Sequence, residues 1–493
     1  MNVLLAYPAF PDTFWSFKYA LKFIRKRSTL PPLGLLTVGA LLPAGWNKRL
    51  VDVNVTRLDR QDLDWADMVL LSAMSVQRPS ALKILARCQE AGVPVVAGGP
   101  LFTGEPDEFP QVDHLVLNEA EITLPAFLAD LGQGCARPRY TTDSFPDIRQ
   151  TPLPLWELAD LRQYASMSVQ YSRGCPFHCE FCNVTALFGH RPRAKAADQI
   201  IAELEGLQAA GWKGRVFFVD DNLIGNKKAL KTELLPALID WQHHAGDMSF
   251  YTEASINLAD DAELMEMMVA AGFDMVFIGL ETPDQGSLAE CSKTQNLGRD
   301  LVEDVKCIQR AGLQVQGGFI VGFDNDTPTI FQRQIDFIQT SGVVTAMVGL
   351  LNALPGTRLY ERLKQAGRLA SQLTGDNADG TTNIVPRLMD LEALQTGYRE
   401  LMQRIYSPDH YYRRIRTLLR NYRPPKIRGH VDLQHVLALF RSFFYLGIVG
   451  RERFHYWRLL VWTTLHRPRF LPLAVSLAIY GHHFRRVYQA HAG

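Results

Sequence analysis

The 493-residue chain has little of what a secreted or membrane-spanning protein needs. It has seven cysteines, an odd number, and Cys88, Cys135, Cys291 and Cys307 are scattered without any pairing pattern. That excludes a disulfide scaffold and fits reduced thiols in a cytoplasmic protein. The opening Met1-Asn2-Val3-Leu4-Leu5-Ala6-Tyr7-Pro8 lacks a basic n-region and reads as a first strand, not a signal peptide. No run in the aromatic-rich C-terminal region reaches the roughly 18 uncharged apolar residues of a spanning helix. Net charge is nearly absent, at +1, but it hides a division: residues 405–493 hold 15 Lys/Arg and 3 Asp/Glu, the remainder 37 and 48. Such asymmetry points to a tail that meets something anionic. No recognised nucleic-acid module accompanies it, so nucleic acid is not an expected partner. The length implies two or three domains.

What the chain does have is concentrated in one loop. Cys175, Cys179 and Cys182 form a C-x₃-C-x₂-C pattern in Arg173-Gly174-Cys175-Pro176-Phe177-His178-Cys179-Glu180-Phe181-Cys182. Three thiolates can hold a [4Fe–4S] cube and leave one iron without a protein ligand, free to bind a small molecule. Zinc is the alternative, with His178 as a fourth ligand. Structural zinc usually takes four protein ligands, however, and no C-x₂-C partner pair occurs elsewhere. The motif resembles the signature of radical S-adenosylmethionine (SAM) enzymes. The resemblance implies a cluster on the three cysteines, SAM chelated at the open iron, and cleavage of SAM to a 5′-deoxyadenosyl radical. It also implies a cofactor contact at Phe181 and an electron donor such as flavodoxin or ferredoxin.

Residues 1–135 alternate short apolar strands with helical runs, the rhythm of a doubly wound parallel sheet. Strands are expected at Val3–Tyr7, Arg49–Val53, Met68–Ser72, Val93–Ala97 and His114–Leu117, with helices at Leu33–Leu42, Ser80–Ala91 and Ile122–Leu131. Ligands of such sheets bind beyond the strands' carboxyl ends. This makes Ser72, Ser75, Gly98, Gly99, Asn118 and Glu119 candidate cofactor contacts, although turn glycines after strands are common in any such sheet. Placed ahead of the cysteine loop, the segment resembles the cobalamin-binding domain of B12-dependent radical SAM enzymes, and cobalamin is the implied ligand. It departs from many B12 proteins in lacking a D-x-H-x-x-G run: Pro8-Ala9-Phe10-Pro11-Asp12-Thr13-Phe14-Trp15 has no histidine to ligate cobalt. The lower face of the cofactor is then expected to meet apolar or aromatic side chains.

Residues 136–164 read as a linker. Residues 165–370 alternate strand and helix six times, with strands expected at Ser166–Tyr171, Arg215–Val219, Ser249–Glu253, Met275–Leu280, Val315–Val321 and Val344–Leu351. This is a partial (β/α)6 barrel, the radical SAM core, and the cysteine loop follows its first strand. Barrel chemistry sits on the loops after the strands. The strand ends therefore supply candidates: Asp220 and Asp221, Glu253 and Ser255, Glu281, Gly318 and Ile320. The resemblance implies SAM contacts for Asp220, Glu253, Ser255, Gly318 and Ile320, with Asp221 or Glu281 orienting substrate. Helix N-caps and solvated strand ends are the bland alternative for the acidic residues.

After a small polar loop, Thr374–Gly380, residues 385–493 read as helical. Ile405-Tyr406-Ser407-Pro408-Asp409-His410-Tyr411-Tyr412-Arg413-Arg414 resembles the C-terminal extension of a B12-type radical SAM subgroup that includes the hopanoid C-2 methylase. Further on, aromatics such as Phe443, Phe444 and Trp457 mix with Arg441, Arg451, Arg453 and Arg458. They read either as core aromatics with solvated arginines or as a surface for the inner face of the cytoplasmic membrane. The whole chain is thus expected to be an α/β enzyme: a cobalamin-dependent radical SAM C-methyltransferase acting on an unactivated carbon of a hydrophobic substrate, a hopanoid-type lipid being favoured and a tetrapyrrole or another hydrophobic natural product the alternative. The alternatives are an enzyme of the same build that cyclises, rearranges or couples without methyl transfer, and an iron–sulfur or zinc protein without catalysis.

Overall fold

Short runs of Val, Leu and Ala with no charge between them become parallel strands buried on both faces. In the computed structural model, which describes residues 1–244, 246, 248–370, 376, 379–423 and 433–491 (backbone only at 433–435), they build two six-stranded parallel sheets. Of the polar loop Thr374–Gly380, residues 374, 375, 377 and 378 lie outside the described residues.

The first sheet comprises β1 (Asn2–Tyr7), β2 (Asn47–Asp52), β3 (Met68–Ser72), β4 (Val95–Gly98), β5 (His114–Val116) and β6 (Arg139–Tyr140) in the order β2-β1-β3-β4-β5-β6. The strand order reverses between β1 and β3, the crevice where doubly wound sheets take their ligands. Helices Leu33–Leu41, Arg78–Ala91 and Ala120–Gly132 fall where the pattern placed them. Arg78–Ala91 starts with a proline in its first turn and ends at Gly92 with φ 70°, the usual asymmetry of helix ends. The segment expected as a linker departs from that reading, because it contributes β6 to this sheet and then three single 3-10 turns.

The second sheet comprises β7 (Met167–Val169), β10 (Val216–Phe218), β11 (Phe250–Ala254), β12 (Phe273–Glu281), β13 (Gln314–Val321) and β14 (Ala346–Leu350), paired consecutively and in parallel. All six expected strands are present, and the curved sheet stays open between β7 and β14. Between β7 and β10, the two-residue strands β8 (Ser172–Arg173) and β9 (Arg193–Ala194) pair antiparallel and close the base of the cysteine loop.

An open barrel leaves β14 with unpaired backbone groups, a liability unless covered. Helices Leu391–Ile405 and Pro408–Asn421 cover it with side chains. The Tyr398 hydroxyl donates to the Val348 carbonyl at 3.0 Å, the Tyr406 hydroxyl to that of Ala346, and the Arg414 guanidinium to that of Val344 at 3.1 Å. Three alternate carbonyls along one edge are thus satisfied, which explains why Tyr406 and Arg414 stand at this spacing. Arg414 is fully buried and also donates to Gln339 Oε1 and the Ile405 carbonyl. Helices Arg453–His466 and Leu471–His491 share one apolar core with the barrel. The residues after β1 pack on them as well: Phe14 lies 5.6 Å from Phe484 and 6.2 Å from Tyr406, ring centre to ring centre.

Candidate active site

The cysteine loop is held from all sides. Gly174 has φ 92°, and a Cβ there would come within 2.9 Å of the Gly189 carbonyl, so only glycine starts the loop at this packing. The Cys175 amide donates to Gly189 O at 3.3 Å, the Glu180 amide to Cys291 O at 2.8 Å and the Leu359 amide to Glu180 O at 3.0 Å. Phe181 and Ile320 pack against one apolar cluster with Cys291, Phe323 and Leu351. The three thiols are half-buried and free. Burial pushes the Cys182 thiol up to about 12 and raises Cys175. Cys179 Sγ accepts from Gln295 Nε2 at 3.6 Å. Among the described residues no three His, Cys, Asp or Glu side chains close around a point that one metal ion could fill. A cube takes one thiolate at each of three irons and asks for wider spacing. His178, the fourth ligand of the zinc alternative, stacks on His190 at 4.1 Å.

Charged groups converge beside this loop. The β12–β13 register shifts between Gly279 and Glu281, and Glu281 takes φ 60°, a left-handed conformation rare for non-glycine residues. Such a bulge re-aims a side chain, and here it turns the Glu281 carboxylate onto Lys293 Nζ at 2.6 Å. A Cβ on Gly279 would lie 2.4 Å from Glu281 Oε1 and 2.7 Å from Lys293 Nζ, so glycine there is a condition of the pair. Burial pulls the Lys293 pKa down, but the charges of Glu281 and then Cys179 outweigh it and the net direction is upward. Asp221 has an oxygen, Oδ2, that is buried without a hydrogen-bond partner, and burial pushes its carboxyl up to about 6. Burial, then the nearby Asp221, pushes Glu253 up to about 8. Its carboxyl carries no hydrogen bond among the described residues and faces a large cavity.

That cavity, about 1770 Å³, joins all three parts of the chain. Its wall runs from the exits of β1 and β3 (Ala9, Phe10, Ser72, Met74) through the barrel (Phe217, Glu253, Phe277) to the C-terminal helices (Leu439, Leu471, Ile479). It exceeds the roughly 300–1,000 Å³ of ordinary small-molecule pockets. Trp15 stands over Phe277 at 4.9 Å inside it. The crevice between β1 and β3 presents Ala9, Phe10, Ala73 and Met74 together with Ser72 and Asn54, and no histidine lines the cavity among the described residues, which fits a cobalamin held without a histidine ligand. Asp12, at the place where the D-x-H-x-x-G aspartate would fall, pairs instead with Lys18 at 2.8 Å.

Several expected contacts are placed elsewhere. Asp220 lies behind the loop: it accepts from the Tyr171 amide at 3.1 Å and from the amide and hydroxyl of Ser172, and burial pushes its carboxyl up to about 7. It holds the β7–β8 bend. The Ser255 amide and hydroxyl donate to Asn222 Oδ1. Glu119 is buried in ion pairs with Arg173 and Arg193, at 2.6 Å each. Asn118, at φ 64°, accepts from the Thr141 hydroxyl and the Thr142 amide. Gly98 is required because a Cβ would lie 2.5 Å from the Val116 carbonyl, and Gly99, at φ 87°, because one would lie 2.5 Å from Ser72 Oγ. Ser75 opens a 3-10 turn. Of the six expected contacts in the first domain, only Ser72 lines the cavity. Gly318 leaves room for the Phe277 ring, 2.9 Å from where its Cβ would be. Sequence reasoning missed Lys293, Arg173, Arg193, Trp15 and Phe277. Lys293 stands 12 residues after Glu281 in a connecting segment, with no pattern to mark it.

A doubly wound domain whose ligand crevice opens onto a six-stranded barrel, with three thiols on the loop after the barrel's first strand, defines a radical SAM enzyme with a cobalamin-binding domain. Comparison with known proteins agrees. Residues 24–128 match the B12 binding domain, residues 169–338 the radical SAM superfamily, and residues 357–493 a domain of unknown function, DUF4070. The chain is 39% identical to an uncharacterized methyltransferase of Synechocystis sp., over 98% of this chain and 91% of that protein. It is 33% identical to the hopanoid C-2 methylase of Rhodopseudomonas palustris, over 93% and 88%. In fold it is similar to the cobalamin-dependent SAM radical enzyme OxsB (TM-score 0.63, 14% identity, 99% of this chain and 80% of that one). It is also similar to the radical SAM methyltransferase TsrM of Kitasatospora setae (TM-score 0.56, 16% identity, 75% and 79%). The chain belongs to the cobalamin-dependent radical SAM methyltransferase family, and its cofactors are a [4Fe–4S] cluster, SAM and cobalamin.

Proposed function

We propose that this enzyme transfers a methyl group to an unactivated carbon of a polycyclic, hopanoid-type lipid. The observation that carries the reading is the cavity: large, walled mostly by aromatic and aliphatic side chains, and continuous from the first domain's crevice to the barrel interior. The identity shared with a hopanoid methylase along nearly the whole chain supports it. When bound, the cluster with SAM supplies a hydrogen-abstracting radical and cobalamin the methyl group, which a C–H carbon, being no nucleophile, could not take from SAM directly.

The chain's own residues position and protect. Cys175, Cys179 and Cys182 would hold the cluster. Asp221 and Glu253, with carboxyl oxygens the protein leaves unpaired, suit the cationic end of SAM. Lys293 offers a buried positive charge near Cys179 and Cys182 that would suit the carboxylate of SAM, and Glu281 holds it there. Phe277 and Trp15 present flat apolar faces to a polycyclic substrate and exclude water from the reacting carbon. A flavodoxin or ferredoxin in the cytoplasm is the proposed source of electrons.

The test is anaerobic turnover of the reconstituted enzyme with methyl-deuterated SAM and a hopanoid lipid extract. A deuterated methyl group on the lipid is expected. Formation of 5′-deoxyadenosine with an unlabelled, rearranged or cyclised product would replace methyl transfer with the non-methylating alternative.

A further inference from the structure

Helix Arg453–His466 is apolar on two opposite faces. Tyr456, Leu459, Leu460 and Thr463 are buried, yet Phe454, Trp457, Val461 and Leu465, spaced for a single helical stripe, are 43–74% exposed. Packing within the chain covers only one of these two faces. The neighbouring segment, Leu433–Ser442 running into a π-helical stretch Phe443–Val449, carries the stripe further: Phe440, Phe444, Ile448 and Val449 are 53–63% exposed. Trp457 ties the two together, stacking on Phe443 at 5.6 Å and donating to the Gly447 carbonyl at 2.9 Å. Scattered exposed apolar residues are ordinary, but a continuous patch of this kind marks an interaction site.

The charge around the patch has one sign. Residues 433–491 contain eight arginines and one acidic residue, Glu452. Glu452 is buried against Arg485 at 2.6 Å, so it does not offset Arg451, Arg453, Arg458 and Arg469, which are exposed. A second copy docked face to face would oppose arginine to arginine. The match is an anionic surface with an apolar interior. No described helix is long and apolar enough to cross a membrane.

The patch also adjoins the active-site cavity. A groove on it, lined by Leu439, Phe443, Trp457, Val461, Leu465 and Leu471, shares Leu439 and Leu471 with the cavity wall. Val436, itself 38% exposed, lines the cavity too.

We propose that this face seats the enzyme on the surface of an anionic lipid bilayer, and that the groove at Leu439 and Leu471 is the portal through which a lipid passes from the bilayer into the barrel. The aromatic and aliphatic stripe enters the headgroup–acyl boundary and the arginines meet lipid phosphates. The portal rests on the lipid reading of the substrate; the docking face does not.

The experiment is flotation of the full chain with vesicles of phosphatidylglycerol and phosphatidylcholine, or of phosphatidylcholine alone, at low and high salt. Recovery with the anionic vesicles at low salt, reduced by salt and by neutral lipid, is expected. V461D/L465D should lower the partition at least about tenfold, and circular dichroism and thermal midpoint should match the parent because both side chains are exposed. Wild-type protein left at the bottom of the gradient, or a variant that floats like the parent, overturns the docking face. So does a dimer in sedimentation velocity that the same variant dissociates. For the portal, Leu439→Trp should slow methylation of vesicle-borne lipid at least about tenfold with the thermal midpoint matching the parent; equal methylation overturns it. Vesicle binding without any methylated lipid would reject the substrate reading and leave the docking face standing.

Discussion

Glu119, at the exit of the first sheet, and Arg173, two residues before Cys175, form a buried ion pair at 2.6 Å. The same carboxylate holds Arg193 at 2.6 Å, and Arg173 and Arg193 are register partners in the β8–β9 stem. Glu121 adds a contact to Arg173 at 2.8 Å. One glutamate of the cobalamin-binding domain therefore grips both strands at the base of the cysteine loop. Glu119 thereby ties the first domain to the base of the cysteine loop. Glu119→Gln leaves two buried guanidiniums short of a charge, so a loss of about 3 kcal/mol in stability is expected. Iron content after reconstitution should fall with it. Wild-type stability and iron loading in the variant would show that the clasp is dispensable.

Cys179→Ala should abolish both the broad absorbance at about 400 nm expected of a cubane cluster and the cleavage of SAM. Two thiols cannot replace the third corner ligand. Retained cleavage would overturn the assignment of the loop.

Lys293→Met should slow formation of 5′-deoxyadenosine about 10²-fold, because it removes a fixed positive charge from the thiolate side of the site and leaves Glu281 buried without its partner. In a double-mutant cycle with Glu281→Gln, a coupling of about 1–3 kcal/mol is expected for residues in direct contact. Additive effects would mean that the pair does not act as a unit.

Stability of the cofactor-free enzyme should depend on pH through Glu253. Its folded pKa is pushed up to about 8 by burial and the neighbouring Asp221, against about 4.3 for an ordinary glutamate. Between those values the folded state binds more protons than the unfolded one, so stability falls as pH rises across that window. The thermal midpoint should drop by a few degrees (~4 °C) from about pH 6 to about pH 8.5, and Glu253→Gln should flatten the slope. An unchanged slope in the variant would assign the dependence elsewhere.

Tyr406→Phe should cost about 1 kcal/mol by leaving one β14 carbonyl bare. Arg414→Met should cost about 3 kcal/mol, since it strips the carbonyls of Val344 and Ile405 together. Chemical denaturation of the two variants measures both. Equal costs would indicate that Arg414 contributes no more than a single edge bond.

Local order in the chain was enough to mark what local chemistry demands. The spacing of Cys175, Cys179 and Cys182 is a property of a few consecutive residues, and it names the cluster site without a fold. The strands were legible for the same reason. An uncharged run such as Met68–Ser72 or Gln314–Val321 finds its place between layers, and all six barrel strands lie within a few residues of where the pattern puts them. The alternation of strand and helix then dictates two parallel sheets and puts the cysteine loop on the carboxyl side of the second.

Partnership across long sequence separations was not legible. Glu119 and Asp220 look like free acids at strand ends, but the fold places Arg173 and Arg193 beside one and two backbone amides beside the other. Both carboxylates are engaged within the protein. Lys293 has no mark in the sequence because its role comes from a bulge at Glu281 that turns one side chain toward it. The tail's aromatics could not be divided into core and surface by composition. Helix Arg453–His466 is apolar on both sides, and only its packing against helices Pro408–Asn421 and Leu471–His491 decides which side is buried and which stays exposed.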